Sequence, residues 1–251
     1  MGEIRRKSRR RVVEGRPWKQ ALVCALNPEA PYSPWHGSEH VAGGDIAVVV
    51  LDTEPRVVLC AFVVPSTADL RWDIAQQVFT GVGSLPPVSE VDGDGVPTVA
   101  LSDTARYDDG TPADRAGHSS AAISRILLNA KGRCTVCYSD VLIDTEEDVD
   151  RLVHTASAAE VRARTDWPAL LCDECATAMA EGGITSVVEF VYSRRPACPQ
   201  CSAHRARGIS FGMMSSAGAM NMTPWQTSGG CCVGPESWSC GECGHEWGDD
   251  A

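Results

Sequence analysis

The sequence predicts an α+β fold: a β-rich, barrel-like N-terminal domain followed by two small domains, each held together by clustered cysteines. Two observations support this prediction. Apolar runs rich in β-branched residues and bounded by Gly, Pro and Asp dominate residues 18–101. Eight of the twelve cysteines form four CxxC pairs, all of them after residue 130.

Charge is distributed unevenly along the chain. The 251 residues carry a formal net charge of -11, although the first 20 hold eight Lys or Arg and two Glu. We therefore expect residues 1–17 to form a basic disordered arm, which could contact nucleic acid or act as a solubilising tail. The acidic remainder argues against a broad phosphate-binding face.

The sequence contains no membrane or export signal that we recognise. No apolar run approaches the roughly 20 residues of a membrane-spanning helix. The basic N-terminus is not followed by the apolar region of a signal peptide. These features predict a cytoplasmic protein with no membrane partner.

The N-terminal domain, residues 18–101, is expected to be built mainly from strands. We predict strands over 21–26, 45–51 and 56–64, and the spacing of the last two suits a hairpin. A helix is expected to begin after Asp69 and to end at Gly81 or Gly83. A polar stretch, residues 102–118, is expected to be a linker.

The second domain, residues 119–183, begins with a predicted helix over 119–132, which a glycine ends. A short helix is expected to start at the second CxxC pair and to stop at Gly182 and Gly183. A strand is expected over 184–193. That strand opens the last domain, residues 184–251.

The four CxxC pairs predict metal binding, because such pairs are metal knuckles more often than disulfides in a cytoplasmic protein. A CxxC turn supplies two corners of a tetrahedron, and two turns close a zinc site with no open position. We expect two structural Zn ions, although crossed pairing of Cys172/Cys175 with Cys198/Cys201 is also compatible with the sequence. The expected ligand sets are Cys134, Cys137, Cys172 and Cys175, and Cys198, Cys201, Cys240 and Cys243.

The four remaining cysteines are expected to be buried. Cys24 and Cys60 lie inside apolar runs. Cys231 and Cys232 follow two glycines and have two further interpretations: one could replace a zinc ligand, or both could form a third thiol site with His204 or His245.

The last 55 residues resemble the zinc-ribbon family in the segments "CPQC", "GISFGM", "GGCC" and "WSCGECGHEW". The resemblance implies short antiparallel strands that meet at a metal. It implies no particular function, because ribbons serve in nucleic-acid machines and in protein contacts alike. His245 and Trp247 are expected to be packing or surface residues beside the knuckle.

Residues 119–182 resemble the HNH endonuclease family, a ββα-metal fold of treble-clef type, in "GRCTVC", "RLVHTAS" and "ALLCDEC". The resemblance assigns the general base to His154. It also requires a metal ligand where Val153 stands, another where Ala176 stands, and an asparagine that is missing between Asn129 and Asn221. We therefore interpret this domain as an HNH-like frame without a catalytic centre.

The acidic run at residues 144–150, "DTEEDVD", has two interpretations. It could supply replacement metal ligands for the HNH-like site. Alternatively, it forms a solvated helix start, which acidic residues favour.

Residues 18–100 weakly resemble PUA-like domains of the EVE and ASCH type, through an aromatic-rich loop and a "GD" before a strand. That resemblance implies a small barrel that binds RNA or modified DNA bases. Tyr32, Trp35 and His36 of the "PYSPWHG" loop are then candidates for base stacking. In the alternative interpretation Trp18, Trp35 and Trp72 pack the ends of the barrel.

Together these features predict a non-catalytic zinc-binding protein. Its expected ligand is nucleic acid, DNA or RNA, including modified or single-stranded forms, or it acts with other proteins of a nucleic-acid-processing assembly. Two alternatives remain: a divergent HNH-type metal-dependent endonuclease that uses His154, and a scaffold that works only through protein contacts.

Overall fold

The computed structural model describes residues 9–54, 56–66, 69–81, 98–99, 120–212 and 222–248. It has mixed helices and sheets, so the predicted α+β class is confirmed. The chain divides into two compact units. The first comprises Met1–Val153 with Ala169–Cys172, and the second His154–Pro168 with Asp173–Ala251. The predicted linker, residues 102–118, lies outside the described residues.

A five-stranded mixed sheet forms the framework of the first unit, with strand order β2-β1-β3-β4-β5. The predicted hairpin is confirmed, because β3 and β4 pair antiparallel with a bulge between Val49 and Val50. The described strands form an open sheet and no closed barrel. The strands are β1 Arg10–Gly15, β2 Trp35–His36, β3 Ile46–Leu51, β4 Arg56–Val63 and β5 Thr98–Val99.

The first strand corrects the prediction of a disordered arm over residues 1–17. Arg10–Gly15 forms β1, which pairs parallel with β3 along its whole length. Val13 is fully buried in the core, and Arg11 makes a salt bridge with Asp45. The charge of the arginines suggested a solvated tail, although Val13 belongs to one hydrophobic cluster and Val12 packs against another.

The segment expected as a strand over 21–26 is a helix, α1 Trp18–Leu26. Its residues Ala21–Ala25 are all buried. A continuous run of buried apolar residues has no amphipathic period, so its sequence cannot be distinguished from a buried strand. Pro17 stands at the N-cap, and a proline is well tolerated where a helix begins.

Helix α2, Leu70–Gly81, confirms the predicted helix and holds the loop that leads to β2. Arg71 donates from Nη1 to the carbonyls of Pro28 and Ala30, each at 3.1 Å, and from Nη2 to the carbonyl of Tyr32. One guanidinium thereby satisfies three backbone acceptors of a loop that has few partners of its own. The aromatic loop is therefore fixed by α2.

The predicted helix over 119–132 is confirmed as α3, Ser120–Ala130, and it shares a core with the N-terminal sheet. The hydrophobic cluster of the first unit includes Leu22, Leu59, Leu127 and Leu152. Since these residues come from both of the first two expected domains, one core serves both segments. Helix α4, Glu146–Leu152, completes it.

Three helices belong to the second unit: α5 Ala158–Ala163, α6 Asp173–Glu181 and α7 Val187–Ser193. Helix α6 confirms the helix predicted from the second CxxC pair, but α7 replaces the strand predicted over 184–193. Two caps start α7: Ser186 Oγ accepts from the Glu189 N–H, and Asp166 Oδ1 accepts from the Val187 N–H at 2.8 Å. The tertiary cap from Asp166 outweighs the strand preference of the β-branched residues.

A four-stranded sheet with order β11-β10-β8-β9 completes the second unit. Strand β10 pairs antiparallel with both β8 and β11, as expected for a zinc ribbon, whereas β9 pairs parallel with β8. The strands are β8 Ala206–Phe211, β9 Gln226–Gly230, β10 Trp238–Cys240 and β11 Glu246–Trp247.

Three side chains anchor the segment that enters β9. The carbonyls of residues 223–225 accept in turn from Arg164 Nη2 at 3.0 Å, Tyr192 Oη at 2.9 Å and Arg195 Nη1 at 2.7 Å. The anchored Trp225 is 2% exposed and meets Trp167 edge-on at 6.5 Å between ring centroids. This anchoring forms the core of the second unit beside the ribbon sheet.

Two further short strands, β6 Val153–His154 and β7 Ala169–Leu170, pair with each other. Among the described residues, no helix is both long and apolar enough to cross a membrane.

Arg71→Gln tests the anchoring of the aromatic loop. We expect the free energy of unfolding to fall by about 2 kcal/mol, because backbone carbonyls lose their charged donor. Arg71→Lys keeps the charge but not the forked geometry and should recover only part of the loss. Urea unfolding of the zinc-loaded chain measures both. Wild-type stability in Arg71→Gln would contradict this role.

Candidate metal centres

Three of the four CxxC pairs adopt the same backbone turn. In each, the N–H of the first cysteine donates to the carbonyl five residues later, and the N–H four residues later donates back to that cysteine's carbonyl. The residue four positions after the first cysteine has a positive φ, so its backbone lies in the left-handed region. These residues are Tyr138 (61°), Ser202 (60°) and Gly244 (74°).

The fourth pair lies at the start of a helix. Cys172 directly precedes α6, and Cys175 is in its first turn. This arrangement lets a helix N-terminus, whose N–H groups lack intrahelical partners, face the thiolates.

Backbone hydrogen bonds bring the first four cysteines together. The Thr135 N–H, inside the first knuckle, donates to the Leu170 carbonyl at 2.8 Å, and the Leu170 N–H donates to Thr135 Oγ1 at 3.1 Å. Strand β7 therefore runs beside the knuckle and delivers Cys172 two residues later.

The ribbon sheet brings the other four cysteines together. Cys240 lies opposite Ala206 in the β10–β8 pairing, and the Gly241 N–H donates to the Arg205 carbonyl at 2.9 Å. The knuckle after β10 is thereby placed next to the knuckle that precedes β8.

The structure forms two separate groups of four sulfur atoms, and within each group all atoms lie within 4.8 Å of one another. These are the directly paired sets, so the crossed pairing is excluded. The groups are Cys134, Cys137, Cys172 and Cys175 (tetrad I) and Cys198, Cys201, Cys240 and Cys243 (tetrad II).

Both tetrads have the dimensions of a zinc site. Zn–S bonds of about 2.3 Å at tetrahedral angles place neighbouring sulfur atoms about 3.8 Å apart. The Cys137–Cys172 sulfur distance is 3.6 Å, Cys198–Cys243 is 3.7 Å and Cys201–Cys240 is 3.6 Å. All the cysteines are free thiols at these separations, far longer than the roughly 2.05 Å of a disulfide. Two structural zinc ions fit this donor set.

One thiol in each tetrad is predisposed to ionise. Burial acts to raise the pKa of Cys137, but hydrogen bonds from Ser139 and the neighbouring thiols outweigh it and lower the pKa to about 6. Burial likewise opposes ionisation of Cys240, yet the N–H groups of Cys243 and Glu242 and nearby thiols lower its pKa to about 7. Each tetrad therefore offers a thiolate near neutral pH, the form that binds zinc.

The four cysteines outside the tetrads divide into two kinds. Cys24 and Cys60 are buried as expected, and burial raises the pKa of both thiols. Cys231 and Cys232 are exposed, which corrects the expectation that they are buried. They follow the end of β9 in a bend, and neither belongs to a metal-binding group among the described residues.

His154 lies in β6, where its side chain is hydrogen-bonded to a carboxylate, and it belongs to neither tetrad. Its Nε2 is 2.8 Å from Asp166 Oδ2, and the two side chains are 19% and 11% exposed. Asp166 also accepts from the N–H groups of Trp167 and Val187, each at 2.8 Å. The histidine thus contacts a carboxylate that already caps α7.

The acidic run at 144–150 packs against α1 and forms no metal group among the described residues. Asn27 donates to Asp144 at 2.6 Å, Gln20 to Glu146 at 2.8 Å and Lys19 to Asp150 at 2.7 Å. Asp148 forms a capping box with Thr145. Although burial opposes it, hydrogen bonds, of which that from Arg151 is the strongest, lower the pKa of Asp148. These carboxylates stabilise the fold of the first unit.

The three candidate base-stacking residues occupy different environments. Tyr32 and Trp35 are partly buried and pack against the core, whereas His36 is exposed. The indole Nε1 of Trp35 is buried and has no hydrogen-bond partner among the described residues. Of the other tryptophans, Trp18 packs against the core, but Trp72 is 51% exposed and does not pack as the alternative interpretation expected.

Two residues next to these sites were not identified from the sequence. Asp166 lies 12 residues from His154, and no local motif marks it. Arg194 reaches Cys175 Sγ at 3.9 Å from 19 residues away. Both contacts depend on tertiary structure, so only the fold reveals them.

Comparisons of the chain with protein-family models, with curated proteins and with solved structures find no significant match.

Single-cysteine variants test the assignment of the tetrads. The wild-type chain should bind two zinc ions, and Cys137→Ser and Cys240→Ser should each retain one, because a site with three thiolates binds zinc much more weakly. Cys231→Ser is the matched control and should retain two. Native mass spectrometry counts the ions. A loss of zinc from Cys231→Ser would contradict the assignment.

Proposed function

We propose that this chain is a non-catalytic zinc-binding protein that binds nucleic acid through the aromatic loop of its first unit. The observation that carries the zinc assignment is the closure of both sites by four sulfur atoms. A closed four-thiolate site holds no water or substrate on the metal, so the ions serve the fold.

The nucleic-acid ligand is supported by the surroundings of Trp35. Its indole N–H has no partner among the described residues, and the exposed His36 follows it in β2. An unpaired buried donor is costly, and a small rotation of the indole that brings it to a ligand acceptor would relieve that cost. A nucleobase supplies both a carbonyl acceptor and a π-face for an aromatic side chain.

The loop is held ready for such a ligand. Arg71 binds three carbonyls of residues 28–32, and Ser38 Oγ donates to the Trp35 carbonyl at 2.8 Å. A site that is fixed before binding loses little conformational entropy when the ligand enters.

Charge favours recognition of a base rather than of the phosphate backbone. The chain carries a net charge of -11, and Arg71, Arg164 and Arg195 are engaged with backbone carbonyls. Few phosphates would be neutralised, so binding should depend only weakly on salt. A base in a duplex is stacked and out of reach, which favours single-stranded DNA or RNA, or a flipped modified base.

Trp35→Phe tests the role of the indole. We expect it to weaken binding to short single-stranded DNA or RNA about fivefold, because it removes the donor but keeps a ring. Trp35→Ala should weaken binding further, since stacking is also lost. Trp72→Phe, at an exposed tryptophan of the same unit, is the matched control and should bind as the wild type does. Fluorescence anisotropy at low salt measures the affinities.

Absence of binding to any single- or double-stranded DNA or RNA at low salt would overturn the nucleic-acid proposal. Proteins that co-purify with a chain indifferent to nucleic acid would favour a scaffold instead. A truncation that tests the basic N-terminus should remove residues 1–8 only, because β1 belongs to the sheet.

A divergent HNH-type endonuclease is a second candidate, favoured by the order of elements around His154. Strands β6 and β7 pair and are followed by α6, with His154 in the first strand, although α5 lies between the two strands in the chain. Asp166 could orient the imidazole as an acid–base partner. Against this candidate, no metal-binding group other than the two tetrads occurs among the described residues.

A nicking assay on supercoiled DNA with Mg²⁺ or Mn²⁺ separates the two candidates. We expect no cleavage above background, because the metal ligands that HNH chemistry requires are missing at Val153 and Ala176. Metal-dependent nicking that His154→Ala abolishes would establish the nuclease and overturn the non-catalytic proposal. Asp166 variants are unsuitable for this test, since Asp166 also caps α7.

A further inference from the structure

Each zinc site, when it is occupied, is an anionic centre. Four thiolates carry more negative charge than one divalent ion neutralises. Burying an uncompensated charge is costly, so donors around the sulfur atoms must offset it. Backbone N–H groups do part of this, as the 3.4 Å contact from the Glu242 N–H to Cys240 Sγ illustrates.

At tetrad I the additional donor is Arg194, which follows directly after α7. Its Nη1 lies 3.9 Å from Cys175 Sγ. The guanidinium also lies over the Phe190 ring, 5.2 Å from the centroid, which restricts where it can move. A positive charge is therefore held at the edge of the first zinc site.

At tetrad II the corresponding residue is Arg207 in β8. Its guanidinium lies against Gly241, one of the two residues between Cys240 and Cys243: a Cβ at Gly241 would be 3.2 Å from Nε and 3.5 Å from Nη2. A larger residue at Gly241 would crowd this approach to the knuckle. Tetrad II thus also has a guanidinium against its backbone.

The charge of Arg207 has no other evident partner. Its Nε is buried without a hydrogen-bond partner, and it makes no salt bridge within the described residues. Its neighbour Arg205, by contrast, pairs with both carboxylate oxygens of Glu189 at 2.9 Å. The anionic zinc–thiolate centre accounts for a guanidinium whose Nε is buried and which pairs with no carboxylate of the described residues.

We propose that Arg194 and Arg207 are dedicated counter-cations, one for each zinc site, which slow the loss of zinc and shield the thiolates from electrophiles. The second unit contains six arginines and no lysine. Arginine suits this role because it remains charged and is weakly hydrated. The proposal rests on zinc binding by both tetrads and is independent of whether the chain binds nucleic acid.

The test uses the full zinc-loaded chain, incubated with a chelator and N-ethylmaleimide, and follows alkylation of each cysteine by peptide mass spectrometry. Arg194→Met should accelerate alkylation of tetrad I about three- to tenfold and leave tetrad II unchanged, and Arg207→Met should do the reverse. Arg194→Lys and Arg207→Lys, which keep the charge, should restore most of the protection. Arg164→Met, at an arginine of the same unit that binds the Thr223 carbonyl, is the matched control.

The outcomes separate charge compensation from packing. Wild-type alkylation rates in both Met variants would overturn the proposal. Lys variants that react as fast as the Met variants would also overturn it, because packing rather than charge would then protect the sulfur atoms. A Met variant in which all eight cysteines react together has lost its fold, and the Lys variants then decide. Zinc content measured beforehand identifies a failure of zinc binding itself.

Discussion

Coordination by four thiolates is the interaction on which the candidate sites depend. A tetrahedral ion needs four sulfur atoms at about 3.8 Å from one another, and the chain meets that demand twice. Three CxxC pairs do so with one repeated backbone turn, and the fourth with the start of a helix. Four sulfur ligands fill the coordination positions of a tetrahedral ion, which supports the proposal that the metals serve the fold.

Three arginines in this protein hold backbone carbonyls. Arg71 binds three carbonyls in the first unit, and Arg164 and Arg195 bind carbonyls beside Trp225 in the second. The acidic run contacts side chains of α1 instead. Because the chain is acidic and these three arginines bind carbonyls, few cations remain for a phosphate backbone, which directs attention to the indole of Trp35.

The sequence predicted features that depend on local patterns. The eight zinc ligands, the β3–β4 hairpin and helices α2, α3 and α6 follow from spacing, periodicity and glycine stops. The sequence-based predictions were wrong where tertiary contacts determine the local structure. Residues 21–25 of helix α1 form a continuous apolar run, β1 begins with two arginines that suggest a solvated tail, and α7 depends on a cap from Asp166 that is distant in sequence. No sequence motif predicts the guanidiniums beside the tetrads, because only folding brings them there.

The central claim is that both metals are closed by sulfur. X-ray absorption at the zinc edge of the full chain with two bound ions measures this directly. We predict four sulfur neighbours per zinc at about 2.3 Å and no nitrogen or oxygen in the first shell. A nitrogen or oxygen ligand in the average coordination shell would mean that at least one site is not closed by four sulfur atoms. A catalytic role for that metal would then have to be reconsidered.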